Sequence, residues 1–150
     1  MLPRVLAFAL LSILVHAGCD SQADLQAPVV MGSGDDAAMA AAERKARDTV
    51  DEFITALENP RPEQQAFAVK ARFEDGEQSE YMWLSNIQLI DGKFVGAIDN
   101  EPQLISNIEI GDRKTVDPGE ISDWMILVDN GEVTGGYTIE VLEKRQQQTP

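Results

Sequence analysis

The sequence predicts an α+β domain, an N-terminal helix packed on a small, strongly bent, mainly antiparallel sheet. Three observations point there. An alanine-rich stretch carries apolar residues at helical spacing, and after it short runs alternate apolar with polar residues. Glycine-bearing turn signals punctuate those runs at Asp75-Gly76, Asp91-Gly92, Gly111-Asp112, Asp117-Pro118-Gly119 and Asp129-Asn130-Gly131. The stretch Asn100 to Arg145 holds three of these turns and Trp124, and is expected to set both the fold and any functional face.

The helix is expected from Ala37 to Glu58. Asp35 and Asp36 offer an N-cap and a favourable charge at its start. Met39, Ala42, Ala46, Val50, Phe53, Ile54 and Leu57 share one face, and Asn59-Pro60 ends it. In the first strand, Phe67, Val69, Ala71 and Phe73 alternate with Ala68, Lys70, Arg72 and Glu74. A second strand spans Glu80 to Ile90, where Tyr81 and Trp83 are expected to share a face with Ile87 and Leu89 across an irregularity at Ser85-Asn86. Asp91-Gly92 turns it into Lys93 to Asp99, where Gly96 implies a bulge or close packing. Asn100 to Asn107 reads as short helix or irregular chain, and Lys114 to Val116 as a short strand after the bend at Gly111-Asp112. The latter half of Glu120 to Val128 is a buried strand. Gly135-Gly136 permits unusual backbone angles or a close approach by another segment. Tyr137 to Lys144 fits strand or helix, and its basic ending favours a helix.

The start of the chain reads as targeting sequence. Arg4 precedes the apolar run Val5 to Val15, too short to span a bilayer comfortably. Ala17-Gly18-Cys19 resembles a bacterial lipobox, although His16 stands where that pattern usually has Leu. On this reading residues 1–18 are a signal peptide, and Cys19 is the lipid-bearing mature N-terminus. Residues 19–34 are then a flexible tether with an r.m.s. span of about 20 Å, and 35–145 a single domain with a frayed tail at 146–150. The alternative is an ordinary secretory signal cleaved nearby. Asp20 resembles the inner-membrane retention signal of enteric lipoproteins, so the expected place is the bacterial envelope, facing the periplasm in a Gram-negative cell.

Composition excludes several functions. A net charge of −14 repels nucleic-acid phosphates and anionic headgroups. The sole Cys and sole His both lie in the targeting region. A mature domain without thiol or imidazole has no Ser-His-Asp triad, no Cys-His pair, no ordinary zinc site and no disulfide. No cofactor or metal is expected, and catalysis would fall to carboxylates, Lys, Tyr, Ser or Thr.

Trp83-Leu84, Asp91-Gly92, Asn100-Glu101-Pro102, Ile110-Gly111-Asp112-Arg113, Ser122-Asp123-Trp124-Met125 and Gly135-Gly136-Tyr137-Thr138 occur in that order. This pattern resembles the bacterial domain-of-unknown-function family 2314, the YegJ-like proteins, over roughly Ala42 to Arg145. The resemblance implies a helix before a compact α+β sheet and no transferable activity.

Asp123-Trp124 is the first candidate site, since a carboxylate beside an indole makes a floor for a polar ligand. Its structural alternative is a turn-capping Asp beside a core Trp. Trp83 and Tyr137 join it as candidate ligand-binding residues. Glu101 is a candidate general acid or base if buried. Asp112 reads as a turn residue, Gly135-Gly136 lacks the spacing of a phosphate loop, and Asp129, Asn130 and Glu132 fit a turn better than a calcium loop. The leading expectation is a non-enzymatic binding or interaction module on the membrane, serving an envelope protein or small polar ligand. The alternatives are a carboxylate-dependent hydrolase of envelope glycans, using Glu101 and Asp123, and a structural or stress-related lipoprotein.

Overall fold

The structure, a computed structural model, describes residues 37–148. The stretches expected to be a signal peptide and a tether, Cys19, and Asp35 and Asp36, expected to cap the first helix, lie outside the described residues. Three helices and six strands follow in the order α1 (Ala37–Asp48), α2 (Val50–Glu58), β1 (Gln64–Asp75), β2 (Gln78–Ile90), β3 (Lys93–Ile98), β4 (Arg113–Val116), β5 (Ile121–Val128), β6 (Val133–Gly135) and α3 (Tyr137–Gln148). All strand pairs are antiparallel, in the order β4-β3-β2-β1-β5-β6. The fold is α+β, as the patterning predicts.

Connectivity forces the sheet to curve. β4 and β5 stand four strand positions apart, about 19 Å in a flat sheet. Only residues 117–120 join them, and five Cα steps reach about 17 Å when fully extended. The link itself is coiled into a one-turn 3-10 helix, Pro118–Glu120, capped by Asp117 Oδ1, which accepts from Gly119 N at 3.0 Å. The sheet therefore curls around its core.

That core is centred on Phe53 of α2, fully buried, whose ring lies 5.8 Å from Phe67, 5.5 Å from Phe94 and 5.6 Å from Trp124. Val69, Ala71, Met82, Leu84, Ile98, Ile121 and Ile126 complete it from the sheet. The expected single helix is broken in two. Thr49, at φ −109° and ψ 9°, leaves helical geometry, and its hydroxyl back-bonds to Lys45 O at 2.8 Å, a contact that bends helices.

Two bulges decide which residues face inward. In β2 one extra residue at Asn86, with φ +52°, sits between the Ser85–Ala97 and Gln88–Val95 pairs. The phase inverts there. Ile87 and Leu89 join Met82 and Leu84 on the core face, whereas Tyr81 and Trp83 take the opposite face; the expectation that all four share one face is corrected. In β5 an extra residue at Ser122 lies between the Asp123–Lys70 and Ile121–Ala71 pairs, so Ile121 and Trp124 both turn inward. The whole of Ile121–Val128 is strand, longer than the half expected. Gly96 is closely packed: a Cβ there would lie 2.6 Å from Ile87 Cδ1 and 2.8 Å from Ser85 O. Tyr137 begins a helix that continues through Gln148, past Lys144, where the expected segment ends, and into the tail expected to fray.

Candidate functional site

The two motifs Ser122-Asp123-Trp124 and Gly135-Gly136-Tyr137-Thr138 interlock. Gly135, at φ +81°, lies on the Trp124 ring, where a Cβ would come within 2.6 Å of Cε3 and 2.3 Å of the Trp124 carbonyl oxygen. Gly136 N donates to that carbonyl at 2.8 Å. The Tyr137 ring meets Trp124 edge-on at 5.8 Å. The buried Trp124 indole donates from Nε1 to Ala46 O at 3.1 Å, with Thr49 Oγ1 at 3.2 Å. Thr49 and Tyr137 hydroxyls stand 3.2 Å apart, and Lys45 Nζ sits 4.4 Å above the Tyr137 ring.

Asp123 is fully buried. Its Oδ1 accepts from Trp124 N at 2.9 Å and Tyr137 N at 3.2 Å; its Oδ2 accepts from Thr138 N at 2.8 Å and Thr138 Oγ1 at 2.6 Å. Tyr137 and Thr138 are the first residues of α3, whose N–H groups have no partner within the helix. A strand carboxylate thus caps a helix that starts fourteen residues later, where the helix dipole also favours a negative charge. Burial pushes the Asp123 carboxyl above its ordinary range, opposed by the bonds from Thr138 and Trp124 and by the Lys70 charge.

Lys70 faces Asp123 across β1 and β5. Its Nζ lies 3.4 Å from Thr138 Oγ1 and 5.7 Å from the ring centres of both Tyr81 and Trp83. Burial lowers its pKa below the usual lysine value, against the pull of Asp123 and Glu43. Burial and the neighbouring Glu43 raise the Tyr81 phenol. The sequence treats Lys70 only as a polar residue in an alternating strand; nothing local marks it as the cation beside Asp123.

Glu101 belongs to a different part of the surface. It is exposed in the irregular segment after β3, and its carbonyl accepts from Gln103 Nε2 at 3.3 Å. That segment is pinned from below. Asn100 Oδ1 accepts from Trp83 N at 2.7 Å, the buried Glu80 carboxylate from the backbone N–H groups of Gln103 and Leu104, and Asp75 Oδ2 from Ser106 N and Oγ, both at 2.9 Å. Asp112 caps the turn before β4 by accepting from Glu109 N at 3.2 Å. Asn130 Oδ1 likewise accepts from Glu132 N at 2.9 Å. Among the described residues no group of three or more His, Cys, Asp or Glu side chains could hold a metal ion.

A cleft of about 300 Å³ opens between α2 and the β5–β6 end of the sheet. Trp124 and Ile126 lie beneath it, and Glu52, Thr55, Ala56, Asn59, Arg61, Gln64 and Thr134 form the rest of its lining. Of the sequence candidates only Trp124 reaches this cleft. Asp123, Trp83 and Tyr137 pack away from it, and Glu101 is not part of it. Glu52, Arg61 and Gln64 were not distinguishable in the sequence from ordinary surface residues, because the cleft forms only where α2 and the start of β1 meet the distant β5 and β6.

The stretch that holds these interlocked motifs lies within a match to a known family. A family model described as "Uncharacterized protein conserved in bacteria (DUF2314)" matches residues 36–149. The chain belongs to the DUF2314 family. It is 32% identical over 139 residues to the uncharacterized protein YegJ of Escherichia coli K12, covering 93% of this chain and 87% of that one. It is also 43% identical over 70 residues to a protein of Neisseria meningitidis serogroup B named as an ankyrin repeat protein, covering 46% of this chain and 27% of that longer one. No solved structure matches. In this chain the clasp joins the Asp123-Trp124 and Gly135-Thr138 segments, two of the motifs that carry the resemblance.

Proposed function

We propose that this DUF2314 protein is a lipid-anchored envelope protein whose domain is a non-enzymatic binding module, with the cleft above Trp124 and Ile126 as its ligand site. The observation that carries this reading is the lining. A carboxylate, a guanidinium, amides and hydroxyls converge over an apolar floor, the composition of a site that orients a polar ligand. Glycan hydrolysis asks for two carboxyl groups roughly 5–10 Å apart in a cleft. Here Glu52 is the single acid in the lining, Asp123 is bonded on both oxygens by its own chain, and Glu101 is exposed elsewhere. The anchor rests on the lipobox-like Ala17-Gly18-Cys19, and Asp20 favours the inner membrane.

Thermal unfolding of the purified full-length protein against amino acids, short peptides, envelope-glycan fragments and divalent ions tests the cleft. A ligand at 100 times its Kd stabilises by about 2.7 kcal/mol. The shift is expected to vanish in Ala56→Trp, which fills the cleft from α2. A shift that survives in Ala56→Trp, or none with any compound, overturns the site. The anchor is tested in cells: Cys19→Ser should release the protein from the membrane fraction and remove the acyl mass, and unchanged fractionation refutes lipidation.

A further inference from the structure

The sheet is open, and its two edges differ. The β4 edge carries Arg113 and Lys114; Arg113 Nη2 donates to Gln88 Oε1 at 3.2 Å, and Lys114 Nζ lies 3.5 Å from Asp112 Oδ2. Charged side chains of this kind blunt an edge against pairing. The β6 edge reads Val133-Thr134-Gly135, with neither charge nor proline.

The ladder shows which backbone groups on β6 face away from β5. Glu132 O accepts from Val128 N at 2.9 Å, and Gly136 N donates to Trp124 O at 2.8 Å. Residues 132, 134 and 136 therefore turn their backbone groups toward β5, and by antiparallel alternation Val133 and Gly135 turn theirs outward. Val133 is 48% exposed. Thr134 pairs with Ile126, and both line the cleft, so a strand added outside β6 would run along the cleft's open side. The cleft's two charges are unequal in availability. Arg61 Nε is held by Glu63 at 3.1 Å, whereas no basic side chain among the described residues forms an ion pair with Glu52. Exposed Asp129 and Glu132 flank β6, and the whole chain carries −14.

We propose that β6 is a strand-addition edge. It takes an extended segment of a protein partner in which apolar and basic residues alternate, its backbone pairing with Val133 and Gly135 and a basic side chain entering the cleft toward Glu52. Main-chain bonds then supply affinity and the cleft supplies selectivity. The proposal rests on the cleft being a binding site and adds the class of ligand.

The probe is a capped heptapeptide alternating Lys and Val, titrated into the full-length protein by amide NMR and calorimetry. Two comparison peptides are used, one with Glu in place of Lys and one with N-methylated backbone amides on its pairing side. The Lys-Val peptide is expected to shift the Val133 and Gly135 amides and slow their hydrogen exchange. The Glu-Val and N-methylated peptides, and the variant Val133→Pro, should each bind at least tenfold more weakly; Glu52→Gln should lose about threefold or more. Proline at 133 removes an outward N–H and leaves the β5 ladder its donors. If that variant loses its fold, the N-methylated peptide on unaltered protein decides the question alone. Equal binding of the N-methylated peptide, or of a folded Val133→Pro protein, overturns strand addition and leaves the cleft as a site for side chains only. No binding at millimolar peptide also overturns it, whereas failure of the cleft itself is read from the Ala56→Trp experiment.

Discussion

Replacing Asp123 by Ala removes the acceptor for four donors at once. The N–H groups of Trp124, Tyr137 and Thr138 and the Thr138 hydroxyl lie 2.6–3.2 Å from its carboxylate. Three of the four bonds are buried, and each unsatisfied buried donor costs about 1–3 kcal/mol. Water admitted by the shortened side chain recovers part of this, leaving a loss of about 4 kcal/mol, against a total stability of about 5–15 kcal/mol for a domain. At this domain size that corresponds to a fall in Tm of roughly 12–20 °C. Asp123→Asn retains one acceptor oxygen but turns an amide N–H₂ toward a donor, so its loss should fall between wild type and Asp123→Ala. The assay is thermal and urea unfolding followed by circular dichroism, with amide exchange of Thr138 as the local readout. A Tm for Asp123→Ala within 3 °C of wild type, with Thr138 still protected, would refute the claim that this carboxylate caps α3.

Two further outcomes follow from the geometry. Gly135→Ala should destabilise by about 3 kcal/mol, since a Cβ meets the Trp124 carbonyl and ring at a positive φ. Gly131→Ala is its control, with φ +84° and nothing within 4 Å, and should cost only about 1 kcal/mol; equal losses in urea unfolding would refute the clash. The bonds from Ser106 hold the Asp75 carboxyl below its ordinary 3.8. A depressed carboxylate stabilises the fold above 3.8 and loses that contribution as pH falls through 3.8 toward the folded value. The Ser106 amide resonance should therefore titrate with a midpoint below 3.8, and Asp75→Asn should flatten the acid limb of the stability profile. A midpoint at or above 3.8 contradicts the assignment.

The sequence by itself determined the class of fold, the hairpin turns, the helical character of 37–58 and of the C-terminal stretch, and the lack of His and Cys beyond residue 19. Each is legible within a short window, because a helix repeats its face every 3.6 residues and a strand every two. Even the special demand at Gly135-Gly136 shows in a pair of adjacent glycines. Tertiary structure decided everything that depends on phase or on distant partners. The sequence marks an irregularity at Ser85-Asn86, but only the pairing shows that one inserted residue at Asn86 reverses which side of β2 meets the core. Within the sequence Asp123 beside Trp124 reads as a ligand floor or as a turn-capping Asp beside a core Trp. It becomes the cap of α3 only because the chain returns across β5 with Gly135 flat against the indole. The cleft, too, is assembled from α2, the start of β1, β5 and β6, whose meeting is set by the curl of the sheet rather than by any local pattern.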